Sequence, residues 1–224
     1  MTYETLPQSM KNEYTRSYWD RLQKKRGTLA FKRAGDIMAS LVILLVLSPI
    51  LLLLALAVKL DSPGPVFYRQ IRVGRYDRDF KIFKFRTMVQ DADKIGPAVT
   101  TGGDERITRV GKLIRRCRLD EFSQLLNVLN GTMSLVGPRP EVRRYVEAYT
   151  PEGMATLLIR PGITAPSSIA FKDEDRLLVS SGDPDRIYIE QILPPKTELN
   201  LQYLRGISVA ADMKIMVRTI AAVI

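Results

Sequence analysis

The sequence predicts an α+β fold: a small, compact, membrane-associated domain with an N-terminal re-entrant membrane helix, a β-hairpin and several amphipathic interfacial helices. Three observations support this prediction. Residues 37–58 form an uncharged apolar run of 22 residues with a proline near its centre. Residues 66–73 and 80–88 are typical of two strands joined by a polar connection. Residues 209–224 repeat apolar side chains at helical spacing.

Composition limits the classes of function. The 224 residues can form one good core, or a small domain with attachments. A net charge of +10 favours anionic partners such as nucleic acid, acidic membrane or phosphorylated substrates. The chain has no histidine, which excludes a histidine general base, a His-containing triad and a histidine metal site. The single cysteine, Cys117, permits no internal disulfide and fits a packing role better than a nucleophilic one.

The apolar run is predicted to be broken at Ser48-Pro49. As a helix it would be about 33 Å long, enough to span a bilayer. Pro49 removes a helical hydrogen bond and pushes against the carbonyl of Leu45, which the Ser48 hydroxyl can satisfy. Basic residues flank both ends of the run, and positive charge marks the cytoplasmic side. We therefore expect the segment to enter and leave by the same face, with a kinked span as the alternative.

The residues before this run are polar and amphipathic. Tyr14, Tyr18, Trp19 and Leu22 are helically spaced and precede a basic stretch, which is typical of an anchor at the membrane interface. The first dozen residues are expected to be a frayed tail.

Residues 115–122 place two adjacent carboxylates behind three arginines, near the middle of a predicted amphipathic helix that stops at Asn130-Gly131. Helix neighbours point about 100° apart, so Asp120 and Glu121 are expected to take different roles, one facing a reacting atom and one holding a metal. An aspartate of ordinary pKa, about 3.9, needs no base at neutral pH. The arginines indicate a phosphate as the target. The alternative is a solvated helix face with i, i+4 charge pairs.

Other segments carry weaker signals. Pro138-Arg139-Pro140 is a stiff loop that presents Arg139 in nearly one geometry. Residues 80–86 mix aromatic and basic side chains, as in a half-buried hairpin or in a surface against lipid phosphates. Residues 91–103 predict a mobile loop and residues 173–185 an acidic loop. Residues 188–193 are a short strand or helix.

The motifs of the chain occur in one order, from about residue 32 to the end. They are Lys32-Arg33 with Asp36, Ser48-Pro49, residues 59–65, residues 70–74, residues 84–88, residues 108–112, Arg115, Leu119-Asp120-Glu121, Gln124, Asn127, residues 133–140, residues 161–164 and Asp212. In this order, behind an apolar segment broken by Ser-Pro, they resemble the monotopic phosphoglycosyl transferases, the bacterial sugar transferase family that starts glycan assembly on polyprenol phosphate.

The resemblance implies roles for particular residues. Asp120 would be the nucleophile, Glu121 a ligand of Mg²⁺, Ser48-Pro49 the break that makes the membrane segment re-entrant, and Pro138-Arg139-Pro140 a nucleotide-recognition loop. Arg115 is the best candidate for a phosphate clamp. The further substrate-binding candidates are Lys84, Arg86 and Asp212.

The resemblance also implies an activity and a location. The chain would transfer a sugar 1-phosphate from a UDP-sugar to undecaprenyl phosphate, releasing UMP, through a covalent aspartyl intermediate. It would lie on the cytoplasmic face of the bacterial inner membrane, with a lead-in at residues 1–30, the membrane helix at 31–60 and a catalytic domain at 61–224. UDP-sugar, polyprenyl phosphate, membrane lipid and downstream glycosyltransferases are the implied partners, and nucleic acid is not among them.

The chain departs from the family pattern at Ser123, at Thr132, at residues 165–168 and at Asn200, which puts the substrate contacts of its C-terminal third in question. Three other functions stay open from the residues alone. One is a membrane-anchored binding or scaffold protein without catalysis, and another is an enzyme with a true spanning helix and a different reaction. The third is a basic nucleic-acid binder, which the apolar segment and the lack of a helix-turn-helix or zinc signature disfavour.

Overall fold

A computed structural model of the chain describes residues 2–92, 104–174 and 183–223. The loop predicted at 91–103 and the acidic loop predicted at 173–185 lie mostly outside the described residues. The helices are α1 Glu13–Lys24, α2 Arg26–Asp61, α3 Arg109–Arg116, α4 Leu125–Leu129, α5 Arg143–Val146, α6 Pro166–Ala170, α7 Pro184–Ile187, α8 Leu193–Gly206 and α9 Val209–Val223. The strands are β1 Phe67–Val73, β2 Asp79–Phe85, β3 Ser134–Val136 and β4 Gly162–Thr164.

The membrane segment forms α2, a continuous helix that contains Pro49. The Ser48 hydroxyl donates to the Leu45 carbonyl at 2.8 Å, as the sequence predicts, so the carbonyl facing the proline ring keeps a partner. Judged by length and composition alone, one helix among the described residues could cross a bilayer, and only 6% of its most apolar window is buried. This helix is therefore not a core helix of the domain. Its re-entrant course stays a prediction.

The predicted hairpin is confirmed. Strands β1 and β2 pair antiparallel, with Phe67 opposite Phe85 and Val73 opposite Asp79. The β2 side chains Ile82 and Phe85 point into two separate hydrophobic clusters. A second, parallel pair joins β3 to β4, so that the segment before Gly137 lies against the segment after Pro161. This parallel contact closes the domain around the Pro-Arg-Pro loop.

The N-terminal residues are part of the core, so the expectation of a frayed tail was wrong. Leu6 and Met10 are buried beside Trp19. Their cluster also contains side chains from α8, including Leu204. Apolar burial outweighs the conformational entropy of ordering this short segment.

The C-terminal half is mostly helical. Residues 188–192 form a π-helical turn that leads directly into α8, which decides between the strand and helix alternatives. The predicted C-terminal helix is present as α9, with Ile215 buried and Met213 and Val217 exposed. One face of α9 packs on the core, while its uncovered face carries apolar side chains beside the exposed Lys214 and Arg218.

Candidate active site

Asp120 and Glu121 lie on a short 3₁₀ turn, Leu119–Gln124, rather than within a long helix. Helix α3 ends at Arg116, and Arg118 adopts a left-handed conformation with φ 51°. This conformation is uncommon for a residue with a Cβ, and the reversal of the backbone there interrupts the helix. The prediction of one helix running through the dyad was therefore wrong.

Helix α4, which directly follows the dyad turn, is fixed to strand β2 by Asn127, which is fully buried. Its amide oxygen accepts from the Phe83 N–H at 2.8 Å, and its amide nitrogen donates to the Lys81 carbonyl at 3.0 Å. Ser123, one of the departures from the family pattern, donates to the Asp120 carbonyl at 3.0 Å. Asn127 belongs to the motif set, yet its buried amide could not be assigned a role until the strand beside it was known.

The start of helix α3 lies against the chain that follows strand β2 of the hairpin. A Cβ at Gly111 would overlap the Thr87 carbonyl oxygen, so only glycine permits this approach. Thr108 caps the helix, accepting from the Gly111 N–H at 3.0 Å. Asp61, at the end of α2, accepts from the Val110 N–H at 2.9 Å, which links the membrane helix to the same helix start.

Two cationic side chains contact the two carboxylates. The Lys84 ammonium lies 3.7 Å from an oxygen of Asp120 and 3.7 Å from an oxygen of Glu121. Arg139 donates to both oxygens of Glu121, at 2.6 and 3.4 Å. The structure thus brings Asp120, Glu121, Lys84 and Arg139 together, although the two carboxylates face one shared cation rather than pointing apart.

The environment separates the two carboxylates electrostatically. Burial raises the pKa of Asp120 above its ordinary value; the Lys84 charge opposes this shift and the Glu121 charge adds to it. For Glu121, burial acts in the same upward direction, but the charges of Arg139 and Lys84 outweigh it and hold the pKa at about 2. Burial also lowers the pKa of Lys84. Glu121 is therefore firmly ionised and paired, whereas Asp120 carries the more basic carboxylate.

Backbone hydrogen bonds hold the Pro138-Arg139-Pro140 loop. The Pro138 carbonyl accepts from the Gly162 N–H at 2.9 Å, and the Pro140 carbonyl accepts from the Arg72 guanidinium at 3.2 Å. Both prolines are buried, whereas the Arg139 side chain keeps 31% exposure. The loop therefore presents one guanidinium to the dyad from a rigid backbone.

A buried polar cluster lies directly behind this loop. The Tyr188 hydroxyl donates to Glu141 at 2.6 Å and accepts from the Lys196 ammonium at 2.7 Å. Lys196 also donates to Glu174 at 2.9 Å. Burial and the Glu141 charge raise the pKa of Tyr188, so the phenol stays protonated. Because Glu141 directly follows Pro140 in the chain, the cluster fixes the position of the backbone at the end of the loop.

The predicted substrate contacts of Arg115 and Arg86 have different outcomes. Arg115 is half-buried on α3, and its charge acts to lower the pKa of Asp120, so it lies near the dyad and its phosphate-clamp role stays a prediction. Arg86 is buried and donates to the backbone carbonyls at the end of α2, those of Val58, Ser62 and Pro63, at 2.7–3.2 Å. These bonds use both terminal nitrogens of the buried guanidinium, so we correct the assignment of Arg86 to a structural one.

Asp212 is likewise part of the structure rather than of the dyad. Its carboxylate lies 2.7 Å from the Lys32 ammonium and accepts from the Tyr203 hydroxyl at 2.6 Å. Lys32 is also 3.7 Å from Asp36, whose other oxygen accepts from Ser134 at 2.6 Å. This buried network joins α2, β3 and α9. The substrate-binding assignment of Asp212 is therefore corrected as well, because both carboxylate oxygens are used internally.

A family profile described as bacterial sugar transferase matches residues 27–224. The chain belongs to the bacterial sugar transferase family. The resemblance stated from the motifs is thus confirmed. The matched region contains the membrane helix, the dyad and the Pro-Arg-Pro loop, and it leaves out the buried N-terminal segment.

Curated relatives in this family carry transferase names. The chain is 38% identical to "UDP-N-acetylgalactosamine-undecaprenyl-phosphate N-acetylgalactosaminephosphotransferase" of Aeromonas hydrophila over 86% of the chain and 43% of that relative. It is 37% identical to "UDP-glucose:undecaprenyl-phosphate glucose-1-phosphate transferase" of Caulobacter vibrioides over 86% of the chain and 69% of the relative. It is 39% identical to "Exopolysaccharide production protein PSS" of Rhizobium leguminosarum bv. phaseoli over 87% of the chain and 95% of the relative.

Several curated relatives of the family are much longer than this chain. The chain spans 43%, 36% and 39% of the lengths of three of them. The part shared with these three covers 86%, 91% and 84% of this chain.

Proposed function

We propose that the chain transfers a sugar 1-phosphate from a UDP-sugar to undecaprenyl phosphate, giving polyprenyl-diphosphate-sugar and UMP. The observation that carries the proposal is the grouping of Asp120 and Glu121 with Lys84 and Arg139 in a chain of the sugar transferase family. Relatives named as transferases to undecaprenyl phosphate support this substrate class.

The reaction has two displacements at one phosphorus. A carboxylate oxygen of Asp120 attacks the β-phosphorus of the UDP-sugar, and the bond to the bridging oxygen breaks, so that UMP leaves with the electron pair. An aspartyl phosphosugar remains. A phosphate oxygen of the acceptor then attacks the same phosphorus and releases the Asp120 carboxylate. Neither nucleophile needs a base, which suits a chain without histidine.

In this reaction an anion attacks an anion, and the side chains around Asp120 reduce the resulting charge repulsion. Lys84 lies beside Asp120 at 3.7 Å and offsets charge on the nucleophile and on the incoming phosphate. Arg139 pairs with Glu121 and is partly exposed, so its remaining N–H groups are available to a phosphate. The more basic carboxylate of Asp120 also makes the better nucleophile.

The donor set at the dyad fits Mg²⁺. Within the described residues no group of three or more Asp, Glu or Cys side chains converges as a closed metal site. Mg²⁺ usually takes only one or two protein carboxylates and completes its shell with water and substrate phosphates. Glu121, ionised at any physiological pH, supplies one such carboxylate beside the nucleophile. When bound there, the ion would neutralise diphosphate charge and stabilise the leaving UMP.

The test is to replace the proposed nucleophile in the 224-residue chain. Asp120→Asn should abolish UMP release and covalent labelling by a UDP-sugar, because an amide oxygen is a far weaker nucleophile. Its fold should persist, measured by near-UV circular dichroism. Activity is assayed as UMP release across a panel of UDP-sugars with undecaprenyl phosphate and Mg²⁺, and wild-type activity should disappear when EDTA removes the metal.

The matched control is Asp185→Asn, which alters a surface aspartate paired with Arg144 and should leave the rate unchanged. A wild-type rate in Asp120→Asn would remove this residue from the mechanism. If the chain were a membrane-anchored scaffold without catalysis, neither the wild-type protein nor Asp120→Asn would release UMP. Two-step transfer further requires parallel double-reciprocal lines when both substrates are varied.

We also propose that α2 enters and leaves the membrane by the cytoplasmic face of the bacterial inner membrane, so that the protein is monotopic. Basic side chains lie on both sides of the apolar run, and Pro49 weakens the helix at its centre. Each half of the run reaches only about half the bilayer thickness.

Cysteine labelling in right-side-out and inverted vesicles tests this topology. Single cysteines at Gln8 and Lys214, both exposed, are introduced into a Cys117→Ser background. Both should react with a membrane-impermeant maleimide only in inverted vesicles. Labelling of the two positions from opposite sides would establish a spanning helix instead.

A further inference from the structure

A cavity of about 410 Å³ opens beside the dyad. Its walls come from distant parts of the chain: the membrane helix α2 contributes Ile43, the C-terminal helix α9 contributes Met216 and Ile220, and the region after β4 contributes Ile169. Glu121 and Arg139 line the same cavity. An apolar space therefore connects the membrane helix with the catalytic groups.

The cavity has a cationic component. Arg118 and Lys172 line it together with Arg139, against the single carboxylate of Glu121. Arg118 donates to the Lys172 carbonyl at 3.2 Å, which brings these two basic residues together. The Ser168 hydroxyl also lines the cavity, and it is buried without a hydrogen-bond partner in the part of the chain that the structure describes. A buried hydroxyl without a partner is costly, and an anionic oxygen would satisfy it.

This combination discriminates among ligands. A UDP-sugar is polar along its whole length, so apolar walls would leave its hydroxyls and ring oxygens unpaired. An amphiphile with an anionic head and a hydrocarbon chain matches both parts of the cavity. Its size falls within the usual range of ligand pockets, roughly 300–1,000 Å³, and suits only the first part of a long chain.

Resting on the proposed function, we infer that this cavity is the acceptor subsite, which takes the phosphate and the adjoining isoprene units of a polyprenyl phosphate. The phosphate lies toward Arg118, Lys172 and Ser168, in the same cavity that Glu121 lines. The remaining chain passes over Ile43 and Ile220 to the exposed apolar face of α2, which continues the hydrophobic surface into the lipid.

A kinetic test uses two tryptophan substitutions on one helix. Ile220 lines the cavity and is 61% exposed, so Ile220→Trp fills the space without disturbing the core. It should raise the KM for undecaprenyl phosphate about tenfold, since the chain then buries fewer methylenes. The KM for UDP-sugar should stay within about twofold of wild type. The matched control Val217→Trp, also on α9, 62% exposed and outside the cavity, should change neither constant.

The charged part is tested separately. Lys172→Gln should raise the acceptor KM by about tenfold, because it removes a cation from the phosphate site. Lys214→Gln, an exposed lysine of α9, serves as its control. A rise in the KM for UDP-sugar rather than for the acceptor, or equal effects of the cavity variants and their controls, would overturn the assignment.

A binding experiment without a UDP-sugar separates this inference from the proposed function. The full chain in nanodiscs is photolabelled with a diazirine-bearing polyprenyl phosphate, and the modified peptides are identified by mass spectrometry. Labels should fall within residues 163–172 and 216–222, and undecaprenyl phosphate should compete with them. Competition by phosphatidylglycerol or by phosphate-free polyprenol to the same extent would refute a specific acceptor site.

The outcomes of this labelling are distinct. Labelling at the cavity in a protein that transfers no sugar would contradict the proposed reaction and leave the binding site standing. Sugar transfer with labels confined to the outer face of α2 would contradict the binding site alone.

Discussion

Two arginines of the motif set illustrate how much a single side chain depends on its surroundings. Arg86 and Arg139 both lie in motifs that the resemblance connects with substrate. Arg86 is 5% exposed and its two terminal nitrogens donate to backbone carbonyls, whereas Arg139 projects from a proline-bounded loop toward Glu121. Both positions require a guanidinium because it offers several donors in a planar fork. The residue type could be predicted to matter at each position, but only the partners decide what it does.

Ser48 and Pro49 provide a prediction at this scale. In Ser48→Ala the Leu45 carbonyl loses its partner, because Pro49 has no N–H to replace the hydroxyl. We expect a loss of stability of about 1 kcal/mol. Pro49→Ala restores the backbone N–H of residue 49, which can bond to the Leu45 carbonyl. Ser48→Ala should therefore cost much less stability in the Pro49→Ala background. The measurement is a double-mutant cycle on detergent-solubilised protein, followed by the fluorescence of the single tryptophan, Trp19.

A matched control for this cycle is Ser40→Ala, which makes the same change at another serine of α2. The Ser40 hydroxyl is buried and has no hydrogen-bond partner among the described residues, so its removal breaks no bond to the helix backbone. Ser40→Ala should therefore show no coupling to Pro49→Ala. Additive effects of Ser48→Ala and Pro49→Ala would mean that the Ser48 hydroxyl does not compensate for the proline.

At the scale of elements, the break between α3 and the dyad turn determines the site. The apolar spacing of residues 113–129 fits one helix, yet the left-handed residue Arg118 divides it. The reason is tertiary: α3 is held at its start by Asp61, while α4, which directly follows the dyad turn, is held to β2 through Asn127. The two anchors lie on different elements, so a straight helix cannot satisfy both.

The link between α2 and α9 gives the second prediction. Lys32 and Asp212 are both mostly buried, and Lys32 serves two carboxylates. Lys32→Met should cost about 3–5 kcal/mol in the free energy of unfolding, because it leaves buried carboxylates without a cation. Asp212→Asn should cost less, since the amide oxygen can still accept from Tyr203. Chemical denaturation monitored by Trp19 fluorescence provides the measurement.

Lys214→Met, an exposed change on α9, is the control for these variants and should leave the unfolding midpoint in place. The same variants also test the structural role that we assign to Asp212. If Asp212→Asn weakened UDP-sugar binding with no effect on the midpoint, Asp212 would be a substrate contact after all.

For the molecule as a whole, the N-terminal segment joins parts that are distant in sequence. Met10 is fully buried in the cluster that contains Val73, Leu158 and Leu204. We expect Met10→Ala to destabilise the domain by about 2–5 kcal/mol through the cavity that it leaves. Gln8→Ala, an exposed change in the same short segment, should be nearly neutral. Equal midpoints for the two variants would restore the frayed-tail interpretation.

Two departures from the family pattern also meet in the folded molecule. Ser167 is fully buried and donates to Asn200 at 2.9 Å, which joins α6 to α8. From the sequence they are separate changes that put the C-terminal third in question. In the structure they form one buried pair, so part of this divergence reflects packing between helices rather than altered substrate contacts.

The sequence by itself determined the long apolar helix, the hairpin, the C-terminal helix and the positions of the dyad motif and the Pro-Arg-Pro motif, because these depend on periodicity, proline chemistry and ordered local motifs. Only the tertiary structure decided four other features. They are the proximity of Lys84 to both carboxylates, the elevated pKa of Asp120, the structural use of Arg86 and Asp212, and the cavity that Ile43 lines. Each of these arises from side chains far apart in the chain. Burial and long-range pairing depend on where the elements pack, and no local pattern encodes that.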